Sequence, residues 1–160
     1  MMEITYTPIG IIHTPYQSVD DMPIQPCGAK GIRGTVEIYE DWVPGLKDLK
    51  GFSHIFLIYH FHKSGKSSLY VTPFLDSQPR GVFATRSPNH PNPVGLSVVR
   101  LLDVQNETLT VEGVDILDST PLLDIKPYVP EFDHHPPIKT GWLEKAAEQA
   151  HRKRSDKRFR

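Results

Sequence analysis

Short runs rich in Val, Ile, Tyr, Phe and Thr recur along this chain, with Gly, Pro, Asn and Asp between them. That pattern predicts strands over 9–14, 34–39, 54–61, 69–74, 81–85, 94–103, 108–112 and 114–117. Gln105-Asn106-Glu107, between two of these runs, predicts a hairpin turn. Residues 42–49 read as one short helix. Helical spacing is clear only over 141–153, where Trp142, Ala146 and Ala150 recur every fourth position. Many short strands without alternating long helices predict an all-β fold, an antiparallel barrel or sandwich.

The run 53–62 is apolar in both alternation classes. Ile55, Leu57, Tyr59 and Phe61 fall on one face, and His54, Phe56, Ile58, His60 and His62 on the other. A strand apolar on both faces needs two covers, its own core and a further layer or a second subunit. A homodimer would supply the second.

A different texture follows at 83–97, Phe-Ala-Thr-Arg-Ser-Pro-Asn-His-Pro-Asn-Pro-Val-Gly-Leu-Ser. Pro88, Pro91 and Pro93 lack amide donors and fix their own φ, so the segment is a stiff loop rather than helix or central strand. Rigid loops held by a scaffold concentrate function. Arg86 at its entrance has the fork geometry that clamps a carboxylate or phosphate.

Composition narrows the class. With 160 residues and 38% hydrophobic content, the chain can bury a real core. No apolar run approaches the length of a membrane span, and no secretory signal is visible, so no membrane role is expected. The single Cys27 cannot form an internal disulfide, which fits a reducing cytoplasm. The net charge of −1 is unevenly spread. Residues 152–160 hold six of the 18 Lys and Arg and one of the 19 Asp and Glu, net +5 against −6 for the rest. A basic segment on an acidic body suits a polyanion partner, and such a segment is expected to be separable from any small-molecule pocket.

Familiar cofactor motifs are missing. No GxG occurs, which excludes the glycine-rich loop of dinucleotide folds. Ser64-Gly65-Lys66-Ser67 echoes a P-loop, but His60 stands where the first glycine belongs. His60 and His62, two apart on a strand and sharing a face with His54, could hold a metal, yet no carboxylate lies at matched spacing, and no metal is expected.

The Pro-rich segment, together with Ile9-Gly10-Ile11-Ile12-His13-Thr14-Pro15-Tyr16, Phe52-Ser53-His54-Ile55-Phe56 and Asp124-Ile125-Lys126-Pro127-Tyr128, resembles the TsaA-like (TrmO) family in order from about residue 8 to 132. The resemblance implies a cytoplasmic S-adenosylmethionine-dependent methyltransferase. Its substrate would be the N6 nitrogen of threonylcarbamoyladenosine in the tRNA anticodon loop. It also implies a homodimer with the cofactor near the subunit interface. Carried over residue by residue, it assigns cofactor binding to Pro26, Cys27, Gly28, His62, Lys63, Arg86, Leu96, Val114, Asp115 and Ile116. Asp124 and Tyr128 are candidates for handling the proton of the attacking nitrogen. The fold expected is an antiparallel β-barrel with a short helix and a C-terminal helix, with a barrel domain over 1–132 and the helix and basic segment over 133–160. Two departures from the family pattern are expected to matter: His90 where bacterial members usually carry Arg, and one helix and a basic segment where many of them carry an additional C-terminal domain. A non-catalytic S-adenosylmethionine-binding sensor and a metal-dependent barrel enzyme are the rival readings.

Overall fold

The structure, a computed structural model, describes residues 2–20, 22–144, 146, 148, 150 and 152–159. Six strands close into an antiparallel barrel: β1 (Gly10–His13), β2 (Arg33–Ile38), β3 (His54–His60), β6 (Val94–Gln105), β7 (Thr108–Glu112) and β8 (Thr120–Pro127), in the order β1-β2-β7-β6-β3-β8. β4 (Tyr70–Val71) and β5 (Arg80–Gly81) form a separate two-stranded ribbon. The expected all-β barrel is thus what the chain adopts. No helix among the described residues is long and apolar enough to cross a membrane.

Period-two burial builds the core. In β2, Gly34, Val36 and Ile38 point inward, and in β3 Ile55, Leu57 and Tyr59 do so. The side chains among these join Ile12, Val99, Leu109, Val111 and Leu122 in one cluster, while Gly34 contributes only backbone. Asn106, at φ 51°, turns the β6–β7 hairpin as its sequence predicts.

Five expectations change. Residues 114–117 are not a strand. Gly113 adopts φ 88°, the chain swings across the barrel end, and the Ile116 carbonyl accepts a 2.7 Å hydrogen bond from the Thr14 hydroxyl. The strand that closes the barrel instead is β8, masked in the sequence by Pro121 and Pro127. Both fall near the ends of the strand, where a missing amide is tolerated. The segment after Gly81 winds into a 3-10 turn, Val82–Ala84, and the short helix near 42–49 is two 3-10 turns, Glu40–Leu46 and Leu49–Gly51. Of the helix predicted over 141–153, Gly141–Leu143 forms a 3-10 turn, and Lys145, Ala147, Gln149 and His151 lie outside the described residues.

Gly95 faces Tyr59 directly across the β3–β6 ladder. A Cβ on Gly95 would run into the Tyr59 ring. Gly95→Ala should therefore lower the unfolding free energy by about 1–3 kcal/mol through overpacking. Chemical denaturation checks this, and a variant as stable as the parent would contradict the packing described.

Candidate ligand site at the barrel end

Two cavities meet where β3 runs out of the barrel. The smaller, about 130 Å³, is walled by Tyr59, Phe61, His62, Lys63, Arg86, Asp115, Ile116 and Thr120. The larger, about 670 Å³, is walled by Pro26, Cys27, Phe74, Phe83, the 84–88 turn, Trp142 and Ala150. Arg86, Pro88, Phe74 and Phe159 belong to both.

A hydrogen-bond chain ties the smaller cavity to the core. Ser97 has one hydroxyl proton, and it goes to Asp115 Oδ1 at 2.6 Å. Ser97 Oγ therefore accepts from the Tyr59 hydroxyl, 3.0 Å away. Burial pushes the Tyr59 phenol well up, and the Asp115 charge pushes it the same way. Burial also raises the Asp115 carboxyl to about 6, against the opposing pull of Ser97 and of the Arg86 charge.

His62 can be assigned a tautomer. Thr120 spends its proton on the Leu117 carbonyl at 2.7 Å, so its Oγ1 accepts from His62 Nδ1 at 3.3 Å. Nε2 is left as an acceptor. Burial first, then the Lys63 charge, hold His62 below its usual range. His62 thus faces the cavity, whereas His60 sits on the outer face of β3, so the two do not share a face. No group of three His, Cys, Asp or Glu suited to a metal occurs among the described residues.

The Pro-rich loop is braced from within. His90 Nε2 donates to the Thr85 carbonyl at 3.2 Å and its ring packs edge-on against Phe83. The Asn89 amide bonds Ser87 Oγ at 3.1 Å. Arg86 Nη1 donates to Gln25 Oε1 at 3.1 Å, which links the loop to the 3-10 turn Pro26–Ala29.

Of the expected site residues, the structure gathers His62, Lys63, Arg86, Asp115 and Ile116 round the smaller cavity, and Pro26 and Cys27 round the larger. Gly28 lines neither; its carbonyl accepts from Arg154 Nη1 at 3.1 Å. Val114 is fully buried in the core. Leu96, Asp124 and Tyr128 lie apart on the outer face. Leu96 and Asp124 flank Ile58 in register, Asp124 pairs with Lys126 at 2.8 Å, and Tyr128 packs edge-on against Phe56.

The basic segment corrects one expectation. It is docked on the cavities rather than separable from them. Arg154 reaches Gly28, Arg158 Nη1 reaches the Pro73 carbonyl at 2.7 Å, and Phe159 packs on Phe74. Phe74, Thr120, Trp142 and Phe159 are cavity residues that sequence reasoning missed. Phe159, a lone aromatic in a cationic run, and Trp142, predicted on a helix face, carried the only signals.

Chemically, the smaller cavity offers two cations, a carboxyl and an imidazole acceptor, a set suited to a ligand rich in hydroxyl and amino-acid groups. The larger offers apolar and aromatic walls suited to a planar ring. A closed antiparallel barrel carrying such a cleft at one end defines a β-barrel small-molecule-binding protein. The profile of the tRNA-methyltransferase O N-terminal domain matches residues 11–134, and the chain belongs to that TrmO family. It is 53% identical over 98% of its length, and 85% of the relative's, to a probable S-adenosyl-L-methionine-binding protein of Pyrococcus abyssi. It is 33% identical to human tRNA (adenine(37)-N6)-methyltransferase, over 79% of this chain and 30% of that one. The crystal structure of TrmO from Pseudomonas aeruginosa superposes with a TM-score of 0.74 at 36% identity, covering 88% of this chain. The chain spans 63% of the length of that TrmO.

The raised Asp115 carboxyl makes a signed prediction. A carboxyl that ionises at higher pH in the folded than in the unfolded state favours folding while protonated, and that contribution is lost as pH rises from about 4 through about 6. Asp115→Asn, which keeps an acceptor for Ser97, should be more stable than the parent at pH 7 by about 3 kcal/mol. The gain should shrink toward zero as pH falls to 4. Thermal melts across that range check it, and a gain that does not vary with pH would contradict the environment assigned to Asp115.

Proposed function

We propose that this chain binds S-adenosylmethionine at the joined cavities and methylates the N6 nitrogen of an adenosine in tRNA. In the finer reading the nitrogen is that of threonylcarbamoyladenosine in the anticodon loop. One observation carries the proposal: in a chain of the TrmO family, Arg86, Lys63, His62 and Asp115 converge on one cavity from three separate segments. The donor set and the size of the larger cavity fit that cofactor.

When bound, S-adenosylmethionine supplies an electrophilic methyl group on a positively charged sulfur. The protein's part is to bind, align and exclude water. Arg86 and Lys63 hold a carboxylate, with Gln25 fixing the Arg86 fork. Asp115, kept in place by Ser97, accepts from hydroxyl or ammonium groups. His62 Nε2 adds a neutral acceptor. Pro26, Pro88 and Phe74 give the apolar walls that keep the site dry.

Asp124 and Tyr128, our candidates for taking or orienting the proton of the attacking nitrogen, lie outside both cavities in one protomer. We place them at a cavity of a second copy. The outer face of β3, β6 and β8 carries Phe56, Ile58, Val94, Leu96 and Val98, with Val94 42% and Leu96 47% exposed. Pairing these faces in a homodimer covers that apolar strip and brings Leu96, Asp124 and Tyr128 to a neighbour. Arg152, Lys153 and Lys157, all exposed, face the tRNA backbone. The separation of Asp124 and Tyr128 from the cavities also favours a second reading, cofactor binding without turnover.

Arg86→Ala should weaken S-adenosylmethionine binding at least tenfold in calorimetry. Arg100→Ala, whose guanidinium lies 3.8 Å from Glu112 away from the cavities, should bind as the parent does. Equal affinities for the two variants would place the cofactor elsewhere. Incubation with cofactor and tRNA bearing threonylcarbamoyladenosine, followed by nucleoside mass spectrometry, should show a gain of one methyl. Binding without any gain would select the second reading.

A further inference from the structure

We propose that the segment Arg154–Phe159 is a wall of the ligand site and that Phe159 touches the bound ligand, closing over its planar ring. The proposal rests on the reading that the joined cavities hold S-adenosylmethionine.

The basic composition of this segment suggests a solvated arm, but Arg154, Ser155, Asp156 and Arg158 anchor it. Ser155 makes three hydrogen bonds to the 19–22 loop: its amide to the Met22 carbonyl at 2.8 Å, its hydroxyl to the Val19 carbonyl at 2.5 Å, and its Oγ from the Met22 amide at 2.8 Å. Arg154 forms a β-bridge with Pro23 and hydrogen-bonds Gly28. Arg158 is held by Asp156 through Nε at 2.9 Å and Nη2 at 2.8 Å, and its Nη1 reaches the Pro73 carbonyl. Its guanidinium also lies over the Phe74 ring, 5.2 Å from the centroid. Two strongly basic residues, Arg154 and Arg158, are thus paired or hydrogen-bonded along the protein's own surface.

What this anchoring positions is Phe159. Its ring meets Phe74 edge-on, with centroids 5.0 Å apart at 78°. Both rings line both cavities. An edge-on pair leaves ring surface facing the cavity, and a flat heteroaromatic ligand can cover it in the offset or edge-to-face arrangements that aromatic pairs prefer. The larger cavity also touches Trp142, whose indole N–H is fixed on the Ala84 carbonyl at 2.8 Å. Trp142 and Phe159 therefore wall the same cavity as the 84–88 turn that carries Arg86. A ligand clamped by Arg86 would be covered by this wall, so the wall should slow its escape.

The test uses the full chain and S-adenosylmethionine, with Arg86→Ala as the marker of the site itself. Phe159→Ala should weaken binding about five- to tenfold, mostly through faster dissociation, and Phe159→Leu should lose less. Ser155→Ala, which unfastens the segment and leaves the ring intact, should also speed dissociation. In the unaltered protein, amides of 152–159 should exchange hydrogen more slowly when cofactor is added, an outcome that does not depend on any variant folding. Affinity unchanged in Phe159→Ala and Ser155→Ala, with unchanged exchange over 152–159, overturns the proposal. If Arg86→Ala still weakens binding, the cofactor site stands and only the wall is lost. Failure of the unaltered protein to bind S-adenosylmethionine overturns both.

Discussion

The hydrogen-bond chain from Tyr59 through Ser97 to Asp115 joins the barrel to its cleft. Tyr59 and Ser97 point inward from neighbouring strands, and Asp115 comes from the crossing segment that caps the barrel. Each hydroxyl has one proton and one destination, so the direction of the chain is fixed. The chain works only because Gly95 leaves room for the Tyr59 ring. Core packing and site electrostatics are therefore one constraint. The same enclosure that orders Asp115 raises its carboxyl toward neutrality, and only a nearby cation or hydrogen-bond donor offsets it. Arg86 supplies part of that offset, and a cationic ligand would supply more.

Strands β3, β6 and β8 serve two purposes through their two faces. Ile55, Leu57 and Tyr59 fill the barrel, while Phe56 and Ile58 face outward beside Leu96 and Val98. Strict alternation means that neither set can be moved without moving the other. A surface this apolar, carrying Asp124 and Tyr128 at its margin, is the face on which the proposed homodimer would pair.

Much of this was legible in the sequence. Alternation gave most barrel strands, the three prolines gave the rigid loop, and Arg86 stood out because of where that loop begins. The family resemblance pointed to His62, Lys63, Asp115 and Ile116, which line one cavity. Other features were hidden for physical reasons. β8 carries prolines at positions that only a three-dimensional register shows to be harmless. Residues 114–117 have strand-forming side chains, but Gly113 redirects them across the barrel end. The docking of 152–159 was obscured because cations usually mean solvent, whereas here Ser155 fastens the segment to Val19 and Met22, and Arg158 is held by Asp156 and the Pro73 carbonyl. Leu96, Asp124 and Tyr128 share one face by register, a relation that no local pattern reveals.

In the function we propose, one ligand lies across the joined cavities, held at Arg86 and Asp115. A crystal structure of the protein with S-adenosylmethionine tests it most directly. The cofactor's polar groups should lie within hydrogen-bond distance of Arg86 and Asp115, with its adenine against the apolar walls of the larger cavity. Cofactor bound on the outer face alone, or anywhere that leaves Arg86 and Asp115 without contact, would contradict it.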